Sequence, residues 1–292
     1  MSLWFSDNRE HSFRGLRAGW RFAVFLAILL APLLLLMLRR SPPANAAATA
    51  LDPLSVALSE FALFVWVLVV TFIMSLLERR RVGEYGLPVR LAFARNFWSG
   101  VLWGVVALTL LLALIATSGD FHFGHLALSG GAIAKYGGEW ALAFLAVGFF
   151  EEFSFRGYAL TTLASGMPFW IAAIVLSLPF GGVHLFNGGE DMLGGISAAL
   201  IALFFCFTWK RTGSLWFAVG LHFSWDYCES FVYGTPDSGL ISPHHLLNSS
   251  YSGSNWISGG TVGPEGSLWV LVIIALLFIA FNRAYAPTAA RG

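Results

Sequence analysis

The sequence predicts an all-α protein, a polytopic membrane helical bundle with about eight transmembrane helices. Of its 292 residues, 57% are hydrophobic and only 11% are charged, whereas about a quarter of the residues are charged in a typical soluble domain. The mean hydropathy of +0.73 agrees with this. Because irregular backbone and open strand edges cannot face lipid, the apolar segments are expected to cross the bilayer as helices.

Eight segments are apolar enough to be spans, each of which needs about 20 residues. They cover approximately residues 18–38, 54–77, 98–118, 139–164, 168–187, 192–210, 213–233 and 266–283. Pro, Gly, Ser and Asn cluster between them, and the longest connection, 234–265, is polar. No internal repeat and no second domain is visible, so residues 1–292 are predicted to form one integral membrane domain.

The first segment also resembles a secretory signal. Three arginines between residues 14 and 21 precede an apolar run, and an alanine-rich stretch follows at 44–50. However, the run from 22 to 38 is long for a signal core, and Arg39 and Arg40 stand before the alanines. We therefore interpret it as a retained first span.

Basic residues in short connections predict the orientation, because they concentrate on the cytoplasmic side. With eight spans, most of them fall on one side: Arg9, Arg14, Arg17, Arg79, Arg80, Arg81, Arg90, Arg95, Lys210, Arg211, Arg283 and Arg291. The other side has Lys135, with Arg39 and Arg40 as exceptions to the rule. Both termini are thus expected in the cytoplasm, and the compact chain without eukaryotic sorting signals suggests a bacterial plasma membrane.

Composition also excludes some functions. A net charge of +1 gives no indication of a nucleic-acid partner. Cys206 and Cys228 lie in apolar runs without a CxxC pairing, which predicts buried free thiols instead of a disulfide or a zinc–cysteine site.

Gly100 and Gly104 form a GxxxG spacing in the third segment. Such a pair lets a neighbouring helix approach closely. A chance pairing in a glycine-rich chain is the alternative.

The fourth segment carries charged residues where lipid disfavours them. A charge at a helix centre costs about 2.5–3.5 kcal/mol on insertion scales, so such residues indicate a functional site by default. Glu152 and Arg156 are four residues apart and can form a pair on one helix face. Glu151 lies about 100° around the helix from Glu152 and has no local partner, so it most needs an explanation.

Two later segments add histidines. In the fifth, Pro179, Gly181 and Gly182 are expected to loosen the helix just before His184. In the seventh, His222 and Asp226 are four residues apart and face the same way. The carboxylate could accept a hydrogen bond from the imidazole and fix its tautomer, or both could bind one ion or one water.

Each of these features has a structural explanation of its own. An intramembrane histidine such as His184 often only bonds to a neighbouring helix, and the Glu152–Arg156 pair can be purely structural. Three of the eight segments, the fourth, fifth and seventh, all supply catalytic-type side chains at membrane depth, which is much harder to explain in that way. Their joint occurrence favours a functional site.

The motifs resemble those of the CPBP family, the CAAX prenyl endopeptidase and bacteriocin-processing (Abi) family of intramembrane proteases. The family is marked by EExxxR, FxxxH and HxxxN or HxxxD on successive core helices. This sequence has Glu151 to Arg156, Phe180 to His184 and His222 to Asp226 in the same order and spacing. The resemblance covers about residues 139–233, which would form the catalytic core.

The resemblance implies a role for each residue. Glu151 would activate a water for attack on a peptide carbonyl, and His184 would help to position or deprotonate it. His222 and Asp226 would stabilise the oxyanion or complete a metal site, whereas Glu152 and Arg156 would support the geometry, as would Phe180.

Members of the family often have Asn where this chain has Asp226. An amide can donate a hydrogen bond to an oxyanion, but an ionised carboxylate cannot. Asp226 would instead suit metal ligation, or hold His222 as a charged donor. Glu151, His184, His222 and Asp226 form a ligand set that suits a divalent metal, with zinc favoured, while a metal-free glutamate mechanism is the alternative.

Other protease classes fit worse. The sequence has neither HExxH nor a GxSxG-like serine elbow on a span, and Gly188 to Asp191 lacks the spacing of a GxGD motif. The predicted activity is therefore cleavage of a peptide or protein in or at the lipid membrane. The alternatives are a non-catalytic scaffold, a bacteriocin-immunity protein or an ion-coupled transporter, although no inverted repeat supports a transporter.

Overall fold

The computed structural model describes residues 15–39 and 52–285, with side chains described up to residue 32 in the first range. The alanine-rich stretch 44–50, Arg40 and the arginines at 9, 14 and 291 lie outside the described residues, as does the side chain of Arg39. The interpretation of the first segment as a retained span and the predicted location of the termini stay predictions.

The described chain is a bundle of helices, as the sequence predicts. The α-helices are α1 Ala18–Arg39, α2 Pro53–Glu78, α3 Arg95–Thr117, α4 Gly131–Arg156, α5 Tyr158–Ala164, α6 Phe169–His184, α7 Met192–Thr212, α8 Trp216–Asp226, α9 Asn255–Ser258 and α10 Leu268–Ala284. A π-helical segment, Tyr227–Val232, extends α8. Two short strands, β1 Phe121–His122 and β2 Ser250–Tyr251, pair antiparallel. Short 3₁₀ turns lie at Val82–Tyr85, Val89–Leu91 and Pro264–Gly266.

All eight predicted segments contain helix, but helix length and composition alone support fewer than eight membrane crossings. Among the described helices, α2, α3 and α7 are long and apolar enough to cross a bilayer alone, whereas α6 and α10 are shorter apolar helices. The structure therefore supports an integral membrane helical bundle, and eight crossings stay a prediction. Large apolar side chains project outward from α2, including Leu58, Phe61 and Leu76, which are 56–63% exposed and would contact lipid.

The fourth predicted segment differs most from its expected boundaries. Its helix α4 begins at Gly131, eight residues before the predicted start at 139, and it ends at Arg156. Gly157 separates α4 from α5, with its N–H donating to the carbonyl of Phe153. A Cβ at Gly157 would lie 2.4 Å from that oxygen, so only glycine fits this break.

The GxxxG spacing in α3 marks a close helix contact. A Cβ on Gly100 would lie 2.1 Å from the carbonyl oxygen of Phe217, and one on Gly104 would lie 2.1 Å from Oγ of Ser224. Both partners belong to α8, and α3–α8 is a principal helix pair of the bundle. The glycines thus bring the backbone of α8, which carries His222, against α3.

The region around Pro179 does not loosen as expected. Helix α6 continues through Pro179 to His184. A Cβ on Gly181 would lie 2.2 Å from the carbonyl oxygen of Gly195, so this glycine allows α6 to pack closely on α7. The prediction of a loosened helix was wrong, because Gly181 permits close packing on α7 instead of flexibility in α6.

The two cysteines are free and buried, as predicted. The Gly188–Asp191 stretch has a structural role: Asp191 is the N-cap of α7 and accepts hydrogen bonds from the N–H groups of Leu193 and Gly194.

Candidate active site

Five of the seven predicted site residues line one cavity inside the bundle, and Glu152 and Arg156 lie behind its wall. The cavity has a volume of about 400 Å³, and Glu151, Phe180, His184, His222 and Asp226 all contribute to its wall. Helices α4, α6 and α8 thus bring together residues that are up to 75 positions apart in the sequence. A volume of this size is typical of a small-molecule or peptide side-chain site.

Glu152 and Arg156 form the ion pair that their spacing predicts. The Arg156 Nη1–Glu152 Oε1 distance is 3.1 Å, and both side chains are at most 1% exposed. Two opposite charges buried together largely compensate one another. The guanidinium also lies 4.2 Å from the centre of the Phe180 ring, an arrangement that adds a cation–π attraction.

Glu152 also orients His222. Its Oε1 lies 3.0 Å from His222 Nδ1, and an ionised carboxylate only accepts, so Nδ1 carries the proton and donates it. The four-residue spacing of His222 and Asp226 predicts Asp226 in this role as one option. In the structure, the Asp226 Oδ2–His222 Nε2 distance is 3.4 Å, which is longer than an ordinary hydrogen bond.

The other edge of the His222 ring faces the cavity. Nε2 lies between Asp226 Oδ2, at 3.4 Å, and Glu151 Oε2, at 3.7 Å. The imidazole ring stacks on Phe205, with a centroid distance of 5.5 Å and an interplanar angle of 18°. Packing on one face and the bond to Glu152 therefore direct Nε2 towards the two carboxylates.

Glu151 is the least satisfied of these groups. Its Oε2 is buried and has no hydrogen-bond partner, although the side chain as a whole is 24% exposed. Unlike Glu152, it points into the cavity, as the 100° rotation between successive helix positions requires. A carboxylate in this state is available to bind a water or a metal.

His184 is held by its own helix. Its Nδ1 lies 2.7 Å from the carbonyl oxygen of Phe180, so Nδ1–H donates and Nε2 remains free. The Phe180 ring packs against the His184 ring at a centroid distance of 4.7 Å. The FxxxH spacing thus places one aromatic ring between Arg156 and His184 and connects both parts of the site.

The cavity lies in one half of the bundle. His184 is the last residue of α6, and Asn187, Ser238 and Leu240 from the connections that follow α6 and α8 line the same space. The charge distribution predicts that these connections lie outside the cell. That orientation would place the site in the outer half of the membrane, which stays a prediction. Helix α6 ends at His184, before the predicted boundary of 187.

Several acidic residues of the cavity belong to none of the predicted motifs. Glu60 on α2 and Glu265 before α10 line its wall, as does Asp237. Each of these acids stands alone in the sequence, and no motif relates it to the other acidic residues of the cavity. For Glu60, its position within an apolar predicted span was the one available signal.

The connection after α6 contains a second unusual carboxyl. Burial raises the pKa of Glu190 to about 7, although a hydrogen bond from the N–H of Asp191 opposes the shift. Glu190 thus retains its proton at pH values where an exposed glutamate would be ionised.

These features define an integral membrane helical protein with a buried cavity of carboxylates and histidines. Residues 133–228 match the model of the family described as Type II CAAX prenyl endopeptidase Rce1-like. The match confirms the resemblance inferred from the three motifs, and it contains every predicted site residue. Comparison with curated proteins and comparison with solved structures gave no match.

Proposed function

We propose that the protein is a membrane-embedded endopeptidase that hydrolyses an internal peptide bond of a membrane-associated or lipid-anchored peptide or protein. The main observation in its support is that one cavity within the apolar bundle is lined by Glu151, His184, His222 and Asp226. The family match supports this reading, since the matched family is named for a CAAX prenyl endopeptidase. The scaffold, immunity and transporter alternatives have no comparable support.

In this proposal Glu151 is the general base. Its carboxylate takes a proton from a water bound in the cavity, and the water oxygen attacks the carbonyl carbon of the substrate. The tetrahedral intermediate then collapses as the C–N bond breaks. The proton held by Glu151 passes to the leaving amine, so the carboxylate is regenerated. A positioned base of this kind contributes about 10²–10⁴-fold to a rate.

The histidines act on the same water and on the developing oxyanion. With its Nδ1–H bonded to Phe180, His184 can accept a hydrogen bond from the water at Nε2. The Nδ1–H of His222 donates a hydrogen bond to Glu152. A second proton, on Nε2, would therefore make His222 a hydrogen-bond donor to the oxyanion. Asp226, 3.4 Å from that nitrogen, would stabilise this charged form. Donors fixed in advance towards an oxyanion are a major source of rate acceleration.

A second form of the proposal includes a divalent metal, favoured as zinc, in which Glu151 and His222 are ligands instead of the free base and the N–H donor. Two imidazole nitrogens and two carboxylates are suitable ligand types, and ligand atoms of tetrahedral zinc lie ~3.3 Å apart when the bonds are ~2.0–2.1 Å. The distances from His222 Nε2 to Asp226 and Glu151, 3.4 and 3.7 Å, are close to this spacing, although no three of these four residues have ligand atoms that all lie within 4.8 Å of one another. With His222 Nε2 unprotonated and the side chains drawn closer, Glu151, His184, His222 and Asp226 would hold the ion, which would supply Lewis-acid polarisation of water and carbonyl.

The first experiment compares the purified protein with Glu151→Gln in cleavage of a quenched peptide library in detergent. Glu139→Gln is a matched control, since Glu139 is a half-buried glutamate of the same helix that is not in the cavity wall. We expect the cleavage rate to fall at least ~10²-fold in Glu151→Gln and to stay unchanged in Glu139→Gln. Equal rates in all three proteins would reject Glu151 as the base.

Metal content tests the cofactor separately. We expect about one zinc per chain in the active protein, loss of activity with a chelator and recovery when zinc is restored. Full activity in a protein whose metal has been removed would favour the metal-free glutamate mechanism instead.

A further inference from the structure

Three carboxylates outside the predicted catalytic set meet next to the cavity. Glu229 belongs to the π-helical segment after α8, Asp237 to the connection that follows, and Glu265 to the 3₁₀ turn before α10. One oxygen of each lies within 4.8 Å of the others, and this is the one such group of three possible ligands among the described residues. Three segments of the chain thus converge at one point.

Two of the carboxylates are held in place by donors. Glu265 accepts hydrogen bonds from Trp225 Nε1 and Ser238 Oγ, each at 2.8 Å. Asp237 Oδ2 accepts one from Ser230 Oγ at 3.0 Å. These bonds fix the direction of both groups and leave one Asp237 oxygen without a bond of this kind.

Glu229 differs from both. Its side chain is fully buried, and neither carboxylate oxygen has a hydrogen-bond partner. It points at Asp237 and Glu265 all the same. A buried carboxylate without a hydrogen-bond partner is strongly unfavourable, so protons on these acids or a bound cation must offset its charge.

Among the described residues, no Lys or Arg side chain pairs with these acids. The connection 234–265 contains neither Lys nor Arg. Within the described ranges, none of the three acids forms an ion pair with a basic side chain. Carboxylates this close repel one another unless a cation or protons intervene.

The backbone around the group is built to bring it together. The carbonyl oxygen of Glu229 accepts hydrogen bonds from the N–H and Oγ1 of Thr235, at 3.0 and 2.9 Å. Gly263 has a positive φ of 105°, and a Cβ there would lie 3.1 Å from Glu229 Oε1 and 2.1 Å from the carbonyl oxygen of Pro236. The connection therefore closes tightly over Glu229.

We propose that Glu229, Asp237 and Glu265 bind a calcium ion, which fastens the 234–265 connection to the ends of α8 and α10. Oxygen-only ligands suit a hard cation. Calcium–oxygen bonds of ~2.4 Å allow opposite ligands to lie up to ~4.8 Å apart, while magnesium bonds of ~2.0–2.1 Å require a tighter group. Because Asp237 and Glu265 also line the cavity, the ion determines the shape of its outer wall.

Terbium luminescence tests this site directly. The indole N–H of Trp225 donates a hydrogen bond to Glu265. Trp225 is therefore close enough to sensitise a terbium ion that replaces calcium. In detergent-solubilised full-length protein, we expect terbium emission on tryptophan excitation and its loss when calcium is added. Glu229→Gln and Glu265→Gln should each weaken the calcium competition at least about tenfold, since calcium affinity follows the number of charged ligands.

Two controls make the location specific. Glu84→Gln changes a surface glutamate that pairs with Arg80, and Glu151→Gln changes the proposed catalytic base; both should keep the terbium signal. The proposal is overturned if the unmodified protein shows no calcium-sensitive emission, or if the signal survives in both Glu229→Gln and Glu265→Gln. Loss of the signal in Glu151→Gln would also overturn it, because the ion would then lie in the catalytic cavity.

Discussion

The ring of His222 has two edges with different partners. Glu152, itself paired with Arg156, receives Nδ1–H, while Nε2 faces Glu151 and Asp226. The two adjacent glutamates therefore contact His222 differently. Glu152 accepts a hydrogen bond from Nδ1–H, whereas Glu151 has an unpartnered oxygen in the cavity.

The buried pair gives a prediction for stability. Arg156→Met would leave Glu152 buried without its cation, and breaking a buried pair in this way costs about 3–5 kcal/mol. We expect this loss in denaturant unfolding measured in mixed micelles. Arg80→Met breaks an exposed pair with Glu84 and should have little effect. Similar stability of the two variants would show that Glu152 does not depend on Arg156.

Glu190 gives a prediction for pH dependence. Its pKa is raised from 4.5 to about 7 by burial, so the folded state keeps a proton that the unfolded state has released at intermediate pH. Stability is therefore lost as pH rises from about 4.5 to about 7. Glu190→Gln removes this effect, and its melting temperature should exceed that of the unmodified protein at pH 8 but not at pH 4.

The matched control for this measurement is Glu84→Gln. A hydrogen bond from the Arg81 N–H and the nearby Arg80 lower the pKa of Glu84, so this variant should gain nothing at pH 8. If Glu190→Gln showed the same difference from the unmodified protein at both pH values, the Glu190 carboxyl would not be the buried group described.

At the scale of elements, the motifs predicted the site because each one lies on a helix. Residues four apart on a helix face the same way, so Glu152 with Arg156, and His222 with Asp226, follow from spacing alone. The break at Gly157 and the end of α6 at His184 do not follow from it. They depend on packing against other helices, which apolar periodicity does not record.

The α3–α8 contact gives a prediction for one element. Gly100→Val places a side chain against the backbone of Phe217 and pushes α8 away from α3. We expect a destabilisation of about 1–3 kcal/mol from overpacking and reduced cleavage, because α8 carries His222. Thermal unfolding and cleavage rates of the same samples measure both effects.

Gly138→Ala is the control, because a Cβ at this position in α4 would meet no atom within 4 Å. Alanine is the better helix former, so this variant should be unchanged or slightly more stable. Equal behaviour of the two glycine variants would mean that α3 and α8 are not in the close contact described.

At the scale of the whole molecule, composition predicted a membrane bundle and the motifs predicted which helices form its core. The cavity itself needed the structure, since its wall also includes Glu60, Asp237 and Glu265. These residues come from α2 and from the polar connection, which lie on either side of the matched region 133–228. No short-range pattern relates them to Glu151, and tertiary packing alone brings them to one cavity.

The central claim is that Glu151 drives peptide hydrolysis at this cavity within the membrane. The most direct measurement is cleavage of a lipid-anchored peptide in proteoliposomes, with products identified by mass spectrometry, for the unmodified protein, Glu151→Gln and Glu139→Gln. We predict two products from a single internal cut with the unmodified protein and Glu139→Gln, and a rate lower by at least ~10²-fold with Glu151→Gln. Undiminished cleavage by Glu151→Gln, or no cleavage by any of the three folded proteins, would contradict it.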